Sequence, residues 1–424
     1  MAIVLDNGKF QTRSKILSIG LISIALTACG GGGSSDSTTN TSTASSGSGS
    51  NTASSGSSSS SNNNTGSTST SSALHFLYLG AGATSTTVNE YAIGSSGALS
   101  TASTVALPTG VNASSLAIAN GKYAYLLTYS QNTNVNGQGT IYQYDVGTNG
   151  VLTPMAVPTV TSSLFLNNAY SRVIVDPSGK YVYIAGLSNG QVLAIATYSI
   201  GSDGSLSFVS TATVPNSDTS IDNIAINSAT NTLYLVSSNG GADTSITPFS
   251  LNASGSLTAI ASSTSIPNAM GVNFLIDASN HYAYLNVSTT GTGGGSGVVY
   301  EYTIATNGTL TPMTTPTVSL GSGYTQIALD TSGQYAYATN NNSNTIAQFS
   351  IGTNGVLTPL STPTIKATNP NFIVANPAGG SVFVGNATTN TIETYSIGSN
   401  GALTAGSSAT ITPASGVVPF VMTY

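Results

Sequence analysis

The chain has 424 residues, of which 39% are apolar and only 5% are charged, and its formal net charge is −6. Its seven Lys and Arg residues are too few for the basic surface that nucleic-acid binding needs, so a nucleic-acid partner is excluded. The apolar content and the 21 tyrosines exclude a wholly disordered polar chain and favour a β-sheet protein with a neutral surface.

Residues 1–28 have the order of a secretory signal peptide. Lys9, Arg13 and Lys15 precede the apolar run Ile16–Leu26, and small residues follow it. Because this run is too short to cross a bilayer as a helix, we expect a signal segment and not a membrane span. The first 28 residues are therefore predicted to direct export.

The end of the signal segment, Leu26-Thr27-Ala28-Cys29, resembles the lipobox of bacterial lipoproteins, where cleavage leaves the cysteine as a lipidated first residue. Cys29 is the only cysteine in the chain. The resemblance implies an acyl anchor on Cys29, and Gly30 in place of aspartate implies delivery to the outer membrane, facing the periplasm or the surface. The alternative is an unmodified thiol in an ordinary signal peptide.

Residues 29–72 consist almost entirely of Ser, Thr, Gly and Asn after the cysteine. Such a composition has too little apolar surface to bury a core, so we expect a disordered tether. The folded domain is predicted to occupy residues 73–424.

A stretch similar to FSIGTNGVLTP, Phe349–Pro359, occurs seven times after residue 72. Each copy has an aromatic residue six positions before a glycine and a leucine two positions after it. Polar residues followed by glycine, between two strand-like runs, are typical of a tight hairpin. The glycines of the seven copies are Gly97, Gly150, Gly204, Gly255, Gly308, Gly355 and Gly401.

A second pair of strands precedes most of these hairpins. In SRVIVDPSGKYVYIAG, the turn Asp176-Pro177-Ser178-Gly179 has the residue preferences of a type I turn. Similar turns begin at Asp277, Asp330 and Asn376. Each repeat is thus predicted to contain four antiparallel strands, from an innermost first strand to an outermost fourth strand.

Seven such units without helical periodicity predict an all-β fold, a seven-bladed β-propeller of four-stranded antiparallel blades. The first repeat begins directly with a second strand, His75–Leu79, and the C-terminal segment Val417–Thr423 is a single strand. We therefore expect the C-terminal strand to complete the first blade and close the ring. The irregular connections lie on the face where each innermost strand begins, and binding is expected on that face.

The repeats and turns, most closely YATNNNSNTIAQF at Tyr337–Phe349, resemble the seven-bladed lactonase family, including 6-phosphogluconolactonase-like enzymes, and the related YVTN propellers of cell surfaces. The resemblance implies cationic and histidine side chains at the starts of several innermost strands. The residues at those positions here are Leu116, Arg172, Asn223, Asn273, Gln326 and Phe372. Only Arg172 is cationic, which argues against catalysis by the family's usual residues.

The sequence predicts a candidate ring of polar residues around the channel mouth. Its members are Arg172, Asp222, Asn223, Asn273, Gln326 and Asn371. Amides and one cation suit hydroxyl-rich or carboxylate ligands. The alternative is that these side chains bond neighbouring loops and channel waters.

Two other constellations favour structural roles. The aspartates Asp176, Asp277 and Asp330 are explained as turn-initiating residues, so no metal site is predicted. His75 lies in the first strand and His281 follows a turn on the opposite face from the ring, so neither provides the base of a Ser/His/Asp triad.

Two functions remain open from the sequence. The first is a membrane-anchored envelope lipoprotein whose propeller is a binding or structural module, a monomer that needs no cofactor and binds a glycan, a small carboxylate or an envelope protein. The second, implied by the resemblance, is a lactone hydrolase in which Arg172 holds the substrate's carboxylate or phosphate and Asp222 activates water.

Overall fold

The computed structural model describes residues 75–80, 86–130, 138–166, 171–188, 192–239, 243–289, 295–323, 326–386, 389–410 and 420–423. The predicted signal peptide, Cys29 and the tether lie outside these residues. All regular structure within them is β-strand, as the sequence predicts. The described residues include no helix that qualifies as a membrane-spanning segment.

The strands form antiparallel groups of four, here called blades 1–7. Blade 1 consists of β1 (His75–Gly80), β2 (Thr87–Ile93), β3 (Leu99–Ala106) and the C-terminal β29 (Phe420–Thr423). Blade 2 consists of β4 (Val111–Ala119), β5 (Tyr123–Ser130), β6 (Gln138–Val146) and β7 (Leu152–Phe165). Blade 3 consists of β8 (Arg172–Val175), β9 (Tyr181–Ser188), β10 (Val192–Ile200) and β11 (Leu206–Thr213).

Blade 4 differs in that its outermost strand is divided into two segments. Blade 4 consists of β12 (Ser220–Asn227), β13 (Thr232–Ser238), β14 (Asp243–Leu251), β15 (Leu257–Ala259) and β16 (Thr264–Pro267). Blade 5 consists of β17 (Ala269–Ile276), β18 (Tyr282–Thr289), β19 (Ser296–Ile304) and β20 (Leu310–Ser322). Blade 6 consists of β21 (Ile327–Leu329), β22 (Tyr335–Asn340), β23 (Thr345–Ile351) and β24 (Leu357–Lys366). Blade 7 consists of β25 (Pro370–Ala375), β26 (Ser381–Asn386), β27 (Thr391–Ile397) and β28 (Leu403–Thr410).

The innermost strands form a closed ring. Each contacts the next in the order β29, β4, β8, β12, β17, β21, β25, and β25 contacts β29 again. The closing strand β29 pairs with β1, opposing Leu77 to Thr423 and Gly80 to Phe420. Blades 2 and 3 are additionally joined by one residue pair, Phe165 with Leu187.

The hydrophobic core is distributed over the seams between blades. Seven clusters of buried side chains each combine residues of two neighbouring blades, including one shared by blades 7 and 1. Burial of apolar surface stabilises each seam in proportion to its area. No blade can bury its own faces alone, which explains why the ring has to close.

Tyrosines of the second strands connect five of the seams to the repeated hairpin of the next blade. Tyr125 Oη donates a hydrogen bond to the carbonyl of Gly204 at 2.8 Å. Gly204 has a φ of +83°, and a Cβ at that position would lie 2.3 Å from the ring of Tyr123. The same bond joins Tyr78 to Gly150, Tyr234 to Gly308, Tyr284 to Gly355 and Tyr337 to Gly401. The hairpin glycine is therefore a docking point as well as a turn residue.

A second set of seam bonds is made by long polar side chains on the third strands. Each accepts a hydrogen bond from the backbone N–H of the leucine that begins the outermost strand of the next blade. The pairs are Glu90 with Leu152, Gln143 with Leu206, Glu301 with Leu357 and Gln348 with Leu403. Two glutamates thus perform the role that two glutamines perform elsewhere in the ring.

Candidate functional site

The site is built on β-bulges near the starts of innermost strands. The pairing of β12 with β13 passes from Ile221 directly to Asn223, which leaves Asp222 as the extra residue. The pairing of β25 with β26 likewise passes over Asn371. The same bulge passes over Ser114 in blade 2 and Val272 in blade 5, so it is a feature of the repeat that changes the direction of the side chain at this position.

Asp222 lies below the surface, with 3% of its area exposed. Ser238 Oγ, at the end of β13, donates to Asp222 Oδ1 at 3.0 Å. On the other side, a Cβ at Gly271 of β17 would lie 2.8 Å from Oδ2. Glycine at position 271 therefore allows the backbone of blade 5 to approach this carboxyl group.

The electrostatic balance at Asp222 brings its titration close to neutral pH. Burial is the main cause that raises the pKa of Asp222 to about 7, and the negative charge of Asp218 acts in the same direction. The hydrogen bond from Ser238, the positive charge of Arg172 and the backbone N–H of Gly271 act against it. A carboxyl group that titrates near the working pH is suited to general acid–base chemistry.

Arg172 begins β8, the innermost strand of blade 3, which contacts β12. Its side chain is fully buried, and Nη1 donates to the carbonyl of Ser171 at 3.0 Å. The structure thus brings Arg172 and Asp222 together, as the ring hypothesis requires. It places the guanidinium inside the protein and not at its surface, and its positive charge lowers the pKa of Asp222.

Asp218 and its partners were not identified from the sequence. Ser237 Oγ donates to Asp218 Oδ2 at 2.7 Å, and Asn216 Nδ2 donates to the same oxygen at 3.1 Å. Asn216 Nδ2 also reaches Ser237 Oγ at 3.1 Å, which closes a small network beside Asp222. The only sequence signal is the pair Ser237-Ser238 at the end of an otherwise apolar strand.

The amide members of the ring are divided between structural bonds and open acceptors. Asn273 is buried, and its Nδ2 donates to the carbonyl of Ile327 in blade 6 at 2.8 Å, which agrees with the structural alternative for this group. Its Oδ1 receives no hydrogen bond from the described residues, and neither does Oδ1 of the half-buried Asn371. Asn223 and Gln326 are also buried in the strand starts.

The remaining residues named from the sequence have structural positions. Leu116 and Phe372 lie in seam cores, between blades 1 and 2 and between blades 7 and 1. His281 donates its backbone N–H to Asp277 Oδ1 at 2.9 Å within a turn.

The turn aspartates bind backbone N–H groups, as predicted from the turn motif. Asp176 Oδ1 accepts from the N–H groups of Lys180 and Tyr181, and Asp330 makes the equivalent bonds. In the described part of the chain, no three His, Cys, Asp or Glu side chains are grouped to hold a metal ion.

Comparison with known proteins agrees with this architecture. Residues 76–420 match the family model described as Lactonase, 7-bladed beta-propeller. No curated protein sequence matches the chain significantly.

Solved structures with the same fold have low sequence identity. A protein from Lactobacillus plantarum has a TM-score of 0.64 at 16% identity, covering 83% of this chain and 99% of its own. A putative 6-phosphogluconolactonase from Bacteroides fragilis has a TM-score of 0.62 at 18% identity, with coverages of 84% and 99%. A periplasmic gluconolactonase from Pseudomonas aeruginosa has a TM-score of 0.62 at 16% identity, with coverages of 82% and 99%. At these identities the likeness concerns the fold alone.

Proposed function

The chain belongs to the lactonase family of seven-bladed β-propellers, and from this premise we propose that it hydrolyses a lactone, with Asp222 as the general base. The observation that carries the proposal is the position of Asp222, on a bulge of the innermost ring, with Ser238 and Arg172 favouring its ionised form. Solved relatives named as putative 6-phosphogluconolactonase and gluconolactonase support the same reaction class.

In the proposed reaction, the carboxylate of Asp222 removes a proton from a water molecule as the water oxygen attacks the lactone carbonyl carbon. Collapse of the tetrahedral intermediate breaks the ring C–O bond, and the proton on Asp222 passes to the departing oxygen. The product is a hydroxy acid, and Asp222 returns to its starting state. Ser238 fixes Oδ1, so Oδ2 is the atom assigned to proton transfer.

Acid release from a panel of sugar and aliphatic lactones tests this function. The purified protein should release acid faster than the spontaneous reaction, and Asp222→Asn should lower kcat/KM by about 100-fold, because an amide cannot accept the proton. Asp203→Asn is the matched control, since Asp203 caps a hairpin turn that has asparagine at position 149 in blade 2. Full activity of Asp222→Asn would overturn the assignment.

A second candidate function is a binding or structural module. The observation that favours it is the buried amide of Asn273, whose Nδ2 is engaged by the carbonyl of Ile327 in the next blade. Binding of a neutral oligosaccharide, detected by calorimetric titration of the protein, would support this alternative if the protein hydrolyses no lactone.

We also propose that the protein is presented at the cell envelope by a lipid on Cys29, through the tether of residues 29–72. The support is the order of the N-terminal sequence. Mass spectrometry of the membrane fraction should find acyl chains on Cys29, and Cys29→Ala should release the protein from that fraction.

A further inference from the structure

Exposed apolar side chains are concentrated on blades 2 and 3. In the described part of the chain, four large apolar side chains are exposed, and all four belong to these two blades. Val157 lies in the outermost strand of blade 2, Phe208 and Val209 lie in that of blade 3, and Val192 begins β10. Phe208 has 55% of its surface exposed, although its ring packs edge-on against that of Tyr198 with 5.7 Å between the ring centres. Exposed apolar residues that occur together mark an interaction site more often than scattered ones.

One buried side chain connects the exposed residues of the two blades. Gln143 Nε2 donates to the carbonyl of Val157 at 2.7 Å, and Gln143 Oε1 accepts from the N–H of Leu206 at 2.8 Å. Leu206 begins β11, two residues before Phe208. The outermost strands of blades 2 and 3 are therefore held next to each other near the exposed Val157 and Phe208.

The outermost strands of four blades are interrupted in ways that hinder pairing with another strand. In blades 2, 5 and 6, four residues of the outermost strand lie opposite one residue of the third strand, and each of these outermost strands contains two prolines. The outermost strand of blade 4 is divided into β15 and β16. Prolines and bulges are common protections of an exposed sheet edge.

β11 of blade 3 lacks these protections. It contains no proline and one extra residue, Val209, and among the described strands its ladder partner is β10. β3 and β28 also have one extra residue and no proline, but their exposed side chains are small or polar. Within the described ring, β11 is thus the edge that combines an open ladder with large exposed apolar side chains.

The backbone N–H of Phe208 is available to a further strand. Phe208 lies opposite Tyr198 of β10, and three other blades have proline at the corresponding ladder position. These prolines are Pro154, Pro312 and Pro359. Because proline has no N–H, a blade does not need a hydrogen bond from this position. Alternate residues of an antiparallel ladder direct their N–H groups away from the partner strand, so this donor faces the open edge of β11.

We infer that β11 is the interface of a two-fold dimer, in which it pairs antiparallel with β11 of a second copy of the chain. The pairing joins blade 3 of one copy to blade 3 of the other in one continuous sheet. Full overlap of Leu206–Thr213 with itself opposes Phe208 to Thr211 and Val209 to Ser210. Aromatic and β-branched residues that face each other across an antiparallel pair stabilise it. This inference does not depend on the proposed hydrolysis, and it replaces the monomer expected from the sequence.

The distribution of charge favours a second copy as the occupant of this edge. Residues 73–424 have eleven Asp and Glu residues against four Lys and Arg residues, so two copies repel each other over most of their surface. β11 has no charged residue, and a two-fold contact needs a surface that complements itself. Asp203, in the turn before β11, lies at opposite ends of the paired strands in this arrangement. Two copies therefore meet at β11 without opposing like charges.

The size of the contact sets its strength. One strand of 8 residues, with Phe208, Val209 and Val157 beside it, is smaller than the surface of about 800 Å² per partner that stable complexes bury. The affinity comes mainly from main-chain hydrogen bonds, as in other cases of strand addition. We expect a reversible dimer whose association is measurable between about 1 and 100 μM protein.

Sedimentation equilibrium of the purified full-length protein tests the dimer. The weight-average mass should rise from that of one chain, 42.3 kDa, toward twice that value as the protein concentration increases from about 1 to 100 μM. A mass that stays at 42.3 kDa over the whole range overturns the inference.

Substitutions at position 208 test the strand. Phe208→Pro introduces the residue that three other blades have at this position, so the Tm should change by less than about 5 °C while dimerisation weakens at least about tenfold. Phe208→Lys keeps the N–H but places charge in the apolar contact, and it should weaken dimerisation as much. Thr101→Pro is the matched control, because Thr101 is exposed at the same ladder position of blade 1, and it should leave dimerisation unchanged. Unchanged dimerisation in either variant of Phe208 overturns the inference.

Hydrogen exchange measured by mass spectrometry locates the contact. The backbone N–H groups of β11 should exchange more slowly at about 100 μM than at about 1 μM protein, because pairing shields them, whereas those of β3 should exchange at the same rate. Dimerisation without added protection of β11 would mean that the copies meet elsewhere, and it would overturn the assignment.

Discussion

Glu301 Oε1 accepts a hydrogen bond at 2.7 Å from the backbone N–H of Leu357, across the seam between blades 5 and 6. Its second oxygen, Oε2, is buried and receives no hydrogen bond from the described residues. At the corresponding position of blade 6, Gln348 Oε1 accepts from Leu403, while Nε2 donates to the carbonyl of Thr362 at 2.7 Å. A glutamine thus completes both bonds, and an ionised glutamate completes one.

The first prediction is that Glu301→Gln stabilises the protein at alkaline pH. The register of β19 with β20 equals that of β23 with β24, so the new amide should reach the carbonyl of Thr315. We expect a gain of about 1–2 kcal/mol in the free energy of unfolding at pH 8, from one added hydrogen bond and the loss of a buried charge. Urea unfolding at pH 5 and pH 8 measures the change in the free energy of unfolding, and we expect the larger gain at pH 8. The reverse change Gln143→Glu is the matched control. It should lower the free energy of unfolding, because it weakens the seam between blades 2 and 3.

The second prediction concerns Glu90, which is fully buried and occupies the same position in blade 1. Burial raises its pKa from 4.5 to about 7. A raised pKa in the folded state means that its stabilising contribution is complete below about pH 4.5 and is lost as pH rises to about 7. The free energy of unfolding should fall by roughly 2 kcal/mol across this range, and Glu90→Gln should remove that part of the slope. Parallel pH profiles for the two proteins would contradict the prediction.

The third prediction concerns the pH dependence of lactone hydrolysis. A general base must be ionised, and the pKa of Asp222 is about 7, so kcat/KM should rise with pH through about 7 and then level off. Ser238→Ala removes a hydrogen bond that favours the carboxylate, which should move the midpoint to higher pH. Rate profiles between pH 5 and pH 9 measure both effects. An unchanged midpoint in Ser238→Ala would show that another group controls the rate.

The fourth prediction compares two glycines with the same backbone conformation. Gly204 and Gly110 have φ values of +83° and +80°, but a Cβ at 204 would overlap the ring of Tyr123, whereas one at 110 meets nothing within 4 Å. Gly110→Ala should cost only the backbone strain, about 1 kcal/mol, and Gly204→Ala about 3 kcal/mol because Tyr123 has to move. Thermal unfolding of both variants measures the two losses of stability. Equal losses would show that the overlap with the ring of Tyr123 adds nothing to the cost at position 204.

The fifth prediction is that deletion of residues 420–423 abolishes cooperative folding. These residues form β29, the innermost strand of blade 1, and their loss leaves the seams of blades 1, 2 and 7 open. The expected result is loss of the thermal unfolding transition. An unchanged Tm would mean that the ring does not depend on this strand.

The repeats allowed the strands to be predicted because their signals are local. The hairpin at Gly204 and the turn at Asp176 each lie within a few residues of sequence, and the single C-terminal strand indicated ring closure. The role of Gly204 as a docking point for Tyr125 could not be predicted, since these residues are 79 positions apart.

The candidate site was predicted less completely. The positions of Arg172 and Asp222 at the strand starts followed from alignment of the repeats. The bulge at Asp222, the bond from Ser238 and the burial of Arg172 depend on how neighbouring strands pair and pack. A sequence pattern reports the spacing of residues along one strand, but it contains no measure of depth below the surface.

The pairing of β29 with β1 joins the two ends of the described chain, and this has a consequence for folding order. While the chain is synthesised from its N-terminus, β1 has one edge without its partner until Phe420–Thr423 has emerged. An exposed strand edge can pair with another copy of the chain. The yield of refolded protein should therefore fall as protein concentration rises, and a circular permutant that joins β29 directly to β1 should lessen that dependence.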